Sequence, residues 1–84
     1  MRTEFEPAAW AQYEWFERHK PKLAAKIRQL IANTEKTPFT GLGQPEPLKY
    51  EFAGCWSRRI SKEHRLVYYV DGKRLVILQC RYHY

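Results

Sequence analysis

From Arg74 to Tyr84 the chain reads as one strand, RLVILQCRYHY. Side chains on a strand alternate between faces. The even set, Val76, Leu78, Cys80, Tyr82 and Tyr84, is apolar or aromatic throughout. The odd set begins with Leu75 and Ile77 and turns polar at Gln79, Arg81 and His83. One face therefore reads as buried along its length. The other opens toward solvent, or toward a site, at the chain's end. An aromatic, β-prone terminus is expected to dock rather than fray.

Such a strand needs partners, and three shorter runs precede it. Leu48–Phe52, Trp56–Ile60 and Arg65–Val70 each place their large apolar residues at even positions. Gly54, Ser61–His64 and Asp71-Gly72 supply the turns. Arg58 breaks the pattern of its run, as an edge residue or a buried-stem arginine would. Even residues on both strands of the last hairpin can share a face only if opposing positions sum to an even number. That predicts a three-residue loop with a bulge and a left-handed Gly72.

The first half is helical. Pro7 suits a first turn, and Ala9, Trp10, Tyr13 and Phe16 recur at helical spacing to about His19. Glu6 is a weak cap for this helix. Lys20-Pro21 ends it and starts another, with Leu23, Ile27, Leu30 and Ile31 on one stripe. Arg2–Phe5 reads as a short opening strand. From about Glu35 to Pro47 the periodicity stops, and Thr37-Pro38, Gly41, Gly43 and Pro45-Glu46-Pro47 are loop chemistry. The expected fold is α+β, in the order β-α-α-β-β-β-β. Two helices pack on the even face of a mostly antiparallel twisted sheet.

The 84 residues are expected to form one domain, residues 1–84, with no disulfide or metal staple. Residues 1–48 carry seven basic and six acidic side chains, net +1, whereas 49–84 carry eight and three, net +5. The excess favours an anionic partner for the C-terminal half, above all nucleic acid. Cys55 and Cys80 have no metal-like spacing, and Cys80 reads as a buried free thiol. With no long apolar stretch, the chain reads as a cytoplasmic protein that does not enter membranes.

Stacking the strands places Lys49, Arg59, Arg65, Arg81 and His83 on the odd face, with Glu46 just before one of them. Taken singly these are ordinary surface charges: Arg65 would pair with Glu63 or Asp71, and Arg81 with the terminal carboxylate. Together they form a set suited to RNA cleavage without a metal. A base takes the 2′-OH proton, an acid protonates the leaving 5′ oxygen, and fixed cations stabilise charge at phosphorus. Glu46, His83 and Arg65 fit those roles, Lys49 and Arg59 fit phosphate binding, and Tyr84 fits stacking on a base. No cofactor is implied. His19 and His64 fall in a helix end and a turn and receive no role.

The segments Thr37-Pro38-Phe39, Pro45-Glu46-Pro47-Leu48-Lys49, Gly54-Cys55-Trp56-Ser57-Arg58-Arg59-Ile60, Glu63-His64-Arg65-Leu66-Val67-Tyr68 and Cys80-Arg81-Tyr82-His83-Tyr84 closely resemble the YoeB (Txe/YoeB) toxins of the RelE-like superfamily. The resemblance spans the chain. It departs at Phe5-Glu6, where the family usually has Ser or a similar cap after the aromatic residue. It implies a ribosome-dependent mRNA endoribonuclease, the toxin of a type II toxin–antitoxin pair, that cuts mRNA in the ribosomal A site and stops translation. On it, Glu46 is the general base, His83 the general acid, Arg65 the transition-state stabiliser and Tyr84 a required terminal residue. Lys49 and Arg59 bind substrate. The implied partners are mRNA, the 70S ribosome with its 16S rRNA, a YefM-like antitoxin and a second copy in a homodimer. Two competing readings are a basic module that binds the ribosome or RNA without cutting, and a ParE-like gyrase inhibitor. Neither needs a terminal His-Tyr pair.

Overall fold

The computed structural model describes residues 1–82; His83 and Tyr84 lie outside the described residues. The elements run β1 (Arg2–Phe5), α1 (Pro7–His19), α2 (Pro21–Lys36), β2 (Glu46–Pro47), β3 (Trp56–Arg59), β4 (Arg65–Asp71) and β5 (Arg74–Gln79). This is the expected α+β order. The sheet order is β1-β5-β4-β3-β2, with β1 parallel to β5 and the other pairs antiparallel.

Prolines open both helices, and α1 has no side-chain cap from Glu6. Both helices bury one stripe. Ala9, Tyr13 and Phe16 of α1 and Ala24, Ile27 and Leu30 of α2 pack in a single core. From the sheet that core takes Leu66 and Tyr68 of β4, Leu75 and Ile77 of β5, and Cys80. Phe5 of β1 joins it edge-on to Trp10, ring centroids 5.3 Å apart. Removing this much apolar surface from water drives the fold.

The hairpin between β4 and β5 departs from expectation. Asp71 lies opposite Arg74, so the loop is the two-residue Gly72-Lys73. Gly72 is left-handed as expected, at φ +60°. The register runs Tyr68↔Ile77 and then Val67↔Gln79, which leaves Leu78 as the extra residue. The bulge that parity demands thus lies beyond the turn, inside the strand pair. Before it, odd residues of β5 face the helices; after it, Cys80 does. Central strands are buried on both faces, so Leu75-Val76-Ile77-Leu78 carries no parity signal.

Two more expectations change. β5 ends at Gln79 rather than running to Tyr84. The run Leu48–Phe52 is not a strand: β2 is only Glu46–Pro47, and Tyr50–Phe52 makes a single 3₁₀ turn. Tyr50 there has φ +59°, which breaks any ladder.

Cys80 is fully buried, with its Sγ 3.6 Å from the Ala9 carbonyl oxygen. Burial pushes its thiol from 9.0 up to about 12. In native protein at pH 8, a disulfide reagent is expected to label Cys55 and leave Cys80 untouched. Both should react in guanidinium. At pH values below the unfolded thiol's range, the group is neutral in both states and affects stability little. From 9.0 to about 12 it ionises only when unfolded, so stability falls across that window. Urea midpoints followed from neutral into alkaline pH should drop more steeply for wild type than for Cys80→Ala.

Candidate active site

The site grows from the face of the sheet turned away from the helices. On β3, Trp56 and Arg58 point to the helix side, opposite Tyr68 and Leu66, while Ser57 and Arg59 point outward, opposite Val67 and Arg65. β2 adds Glu46 opposite Ser57, and β5 adds Gln79 opposite Val67. One row across the outer face therefore reads Glu46, Ser57, Val67, Gln79. The adjacent row holds Arg59 and Arg65 directly opposed. The sheet thus brings together Glu46, Arg59 and Arg65, as the sequence predicts.

Like charges directly opposed on neighbouring strands repel. Arg65 is partly relieved by its own loop. Its Nη1 donates to the carbonyls of Ser61 (2.7 Å) and His64 (3.1 Å). The expected ion pairs of Arg65 do not form: Asp71 pairs instead with Arg74 at 2.7 Å. Among the described residues neither Arg59 nor Arg65 meets a carboxylate within ion-pair distance. Two cations fixed side by side, one clamped by carbonyl dipoles, form a cradle for an anion with more than one oxygen to offer.

Beside this cradle a groove of about 420 Å³ is lined by Glu46, Pro47, Lys49, Tyr50 and Phe52. Lys49 is exposed on the turn that follows β2, not on a strand. It therefore shares this groove with Glu46 rather than joining Arg59 and Arg65 through strand alternation. The neighbouring Tyr50 is 87% exposed. Its left-handed backbone costs about 1–2 kcal/mol for an L residue, so the fold sustains strain to present this ring.

Arg81 is a correction. The sequence places it on the outer face, but β5 ends at Gln79 and the chain beyond it brings Arg81 against α1. Its guanidinium carbon lies 3.6 Å from the Trp15 ring centroid, a close cation–π contact. Arg81 is thus a tether for the end of the chain. His83 and Tyr84, assigned as acid and terminal residue, lie outside the described residues, but the chain that leads to them is held. Cys80 N donates to Gln12 Oε1 at 2.8 Å, Arg65 N to Tyr82 O at 3.1 Å, and Tyr82 N to His64 Nδ1 at 2.7 Å.

With this geometry the comparisons are specific. A family model described as the YoeB-like toxin of bacterial type II toxin–antitoxin systems matches residues 5–84. The chain belongs to the YoeB toxin family. It is 45% identical to toxin YoeB of Escherichia coli over 84 residues, all of both chains. A YoeB/ParE toxin from Agrobacterium tumefaciens superposes with a TM-score of 0.97 at 49% identity, covering both chains completely. YoeB of Staphylococcus aureus, at 39% identity, has been solved in complex with YefM. It superposes with a TM-score of 0.92 over all of this chain and 98% of that one. The fold and the toxin class are therefore those of the family.

Sequence reasoning misses several residues around the site. Ser57 and Gln79 lie in the Glu46 row, yet nothing local marks them, because register is a property of paired strands. His64 reads from sequence as a turn residue without a role. Its signal is its place immediately before Arg65.

Proposed function

We propose that this chain is a ribosome-dependent endoribonuclease that cuts mRNA in the A site of the 70S ribosome and so inhibits translation. The observation that carries the reading is the placement of the Glu46 side chain and the opposed Arg59–Arg65 pair on the sheet face turned away from the helices. Membership of a toxin family supports it further. The chemistry is a transesterification. Glu46 takes the proton of a 2′-OH as that oxygen forms a bond to phosphorus, and the bond from phosphorus to the 5′ oxygen breaks. His83 gives its proton to the leaving 5′ oxygen. Arg65 stabilises the negative charge on the equatorial oxygens. Tyr84 positions the nucleotide, and Lys49 and Arg59 hold neighbouring phosphates. No step is assigned to a metal ion.

On this reading 16S rRNA and the A site present the mRNA backbone to these residues. In the cytoplasm the toxin would be neutralised by a YefM-like antitoxin. A YoeB dimer solved for Staphylococcus aureus supports a homodimer of the free toxin. The test is cleavage on mRNA-programmed 70S ribosomes, with 5′ ends mapped by primer extension and product ends typed by mass. Discrete A-site cuts leaving a 2′,3′-cyclic phosphate and a 5′-hydroxyl are expected. Ribosome binding without cuts would sink the reading in favour of a blocking module. Inhibited gyrase with untouched mRNA would favour a ParE-like activity.

A further inference from the structure

Two consecutive residues, His64 and the first residue of β4, Arg65, grip the Tyr82 backbone from both sides. Tyr82 donates its N–H to His64 Nδ1 at 2.7 Å, and its carbonyl accepts from Arg65 N at 3.1 Å. Tyr82 has φ +63°, a conformation an L residue keeps only when its surroundings hold it. The grip supplies that hold. His64 is itself well fixed: it is 8% exposed, and its ring stands edge-on against Phe16 of α1 at 5.0 Å. It also lies against the Tyr82 ring at 5.3 Å. Its backbone closes the preceding turn, donating to Ser61 Oγ at 3.2 Å and accepting from Ile60 N at 3.0 Å. To accept at Nδ1, the neutral imidazole must carry its proton on Nε2.

We infer that His64 is a positioning residue for the C-terminal pair His83–Tyr84. The residue that follows Tyr82 is the assigned general acid, and the residue that follows His64 is the assigned phosphate stabiliser. One clasp thus ties the backbone that precedes the assigned acid to the start of the strand that carries the assigned cation. The Nδ1 acceptor holds the Tyr82 N–H and the Arg65 N–H holds the Tyr82 carbonyl, so the backbone is fixed on both sides of the Tyr82 Cα. The inference rests on the endonuclease reading above. Its structural half, the clasp, has a readout of its own.

Three variants separate the acceptor from the ring. His64→Asn sets an amide oxygen where Nδ1 stands and keeps the bond. His64→Gln sets its amide near the Nε2 position and loses it. His64→Phe keeps the edge-on packing and has no acceptor. In the ribosome assay H64F and H64Q should lose about 10²-fold in single-turnover cleavage, the scale expected when a reacting group is displaced by about 1 Å. Ribosome affinity should be unchanged, and H64N should cleave close to the wild-type rate. In hydrogen exchange, the Tyr82 amide should be protected in wild type and H64N and exchange fast in H64F. Wild-type cleavage in H64F, or equal damage in H64N and H64F, would overturn the inference. Should wild type itself not cut, the endonuclease reading fails. An unchanged Tyr82 exchange rate in H64F would then dispose of the clasp as well.

Discussion

Glu46→Gln is expected to abolish most cleavage while leaving fold and ribosome binding intact. The side chain is exposed on a two-residue edge strand, so an isosteric neutral amide should change stability by no more than about 0.5 kcal/mol. What it removes is the proposed proton acceptor for the 2′-OH, and general-base catalysis contributes on the order of 10²–10⁴-fold. The loss should fall on the single-turnover rate and not on ribosome affinity, because the amide still fills the same row of the sheet. Arg65→Lys tests the other half of the mechanism. A lysine keeps the charge but not the fork, and it cannot span the carbonyls of Ser61 and His64 while also facing a phosphate. Its rate should drop by about 10²–10³-fold, the scale for removing one oxyanion donor. Lys49→Ala should instead weaken binding and flatten its salt dependence, because a groove-wall cation holds a phosphate without entering the reacting bonds. A Glu46→Gln protein that cuts at the wild-type rate would remove Glu46 from the mechanism.

The parts of this molecule legible in its sequence are those set by short-range chemistry. Pro7 and Pro21 place both helix starts, and helical spacing picks out Ala9, Tyr13, Phe16, Ile27 and Leu30 as core. Alternation in the run from Trp56 to Arg59 puts Arg59 outward and makes Arg58 conspicuous. What stays illegible depends on register. In β5, four consecutive apolar residues satisfy either face, so the bulge at Leu78 cannot be located. The residues before the bulge are therefore placed on the wrong faces, Leu75 and Ile77 facing the helices where Val76 and Leu78 were expected. Arg81 is misplaced because β5 ends at Gln79, so strand alternation does not reach it. Lys49 is placed on a strand because Leu48–Phe52 alternates by composition. A left-handed Tyr50 ends that strand, and a tyrosine gives no warning of such a conformation. The grouping of Glu46, Arg59 and Arg65 survives these errors because β2, β3 and the start of β4 pair without crossing the bulged strand.

Arg58→Met is expected to be the most destabilising single substitution on the sheet, and the reason is a count of donors. Arg58 is fully buried, and all five of its N–H groups are used. Nε donates to Tyr68 Oη at 3.1 Å; Nη1 donates to Asn33 Oδ1 at 2.6 Å and the Leu42 carbonyl at 3.0 Å; Nη2 donates to the carbonyls of Thr37 at 2.6 Å and Thr40 at 2.9 Å. Among the described residues no carboxylate faces it, so its charge is carried by carbonyl and amide dipoles. It is the peg around which residues 37–43 wrap. Tyr68 Oη in turn donates to the Pro38 carbonyl at 2.6 Å, and Arg59 N donates to the Gly43 carbonyl at 2.7 Å. Gly43 must be glycine here: φ is +78°, and a Cβ would come within 3.1 Å of the Arg59 carbonyl oxygen. Methionine at 58 fills the stem's volume but offers no donor. Removing one member of a buried charged network costs about 3–5 kcal/mol. At about 4–8 °C per kcal/mol for a domain of this size, the melting temperature should fall by roughly 12–40 °C. Arg58→Lys keeps the charge with three donors and should fall less. Chymotrypsin supplies a local readout, because Phe39 at the loop tip is exposed. Cleavage after Phe39 should accelerate in Arg58→Lys under conditions where the rest of the chain stays folded. The loop runs directly into β2, so the same variant should lose cleavage activity through a displaced Glu46 while still binding ribosomes. A stable, fully active Arg58→Met protein would mean that the loop, and with it the Glu46 carboxylate, is held by something other than this guanidinium.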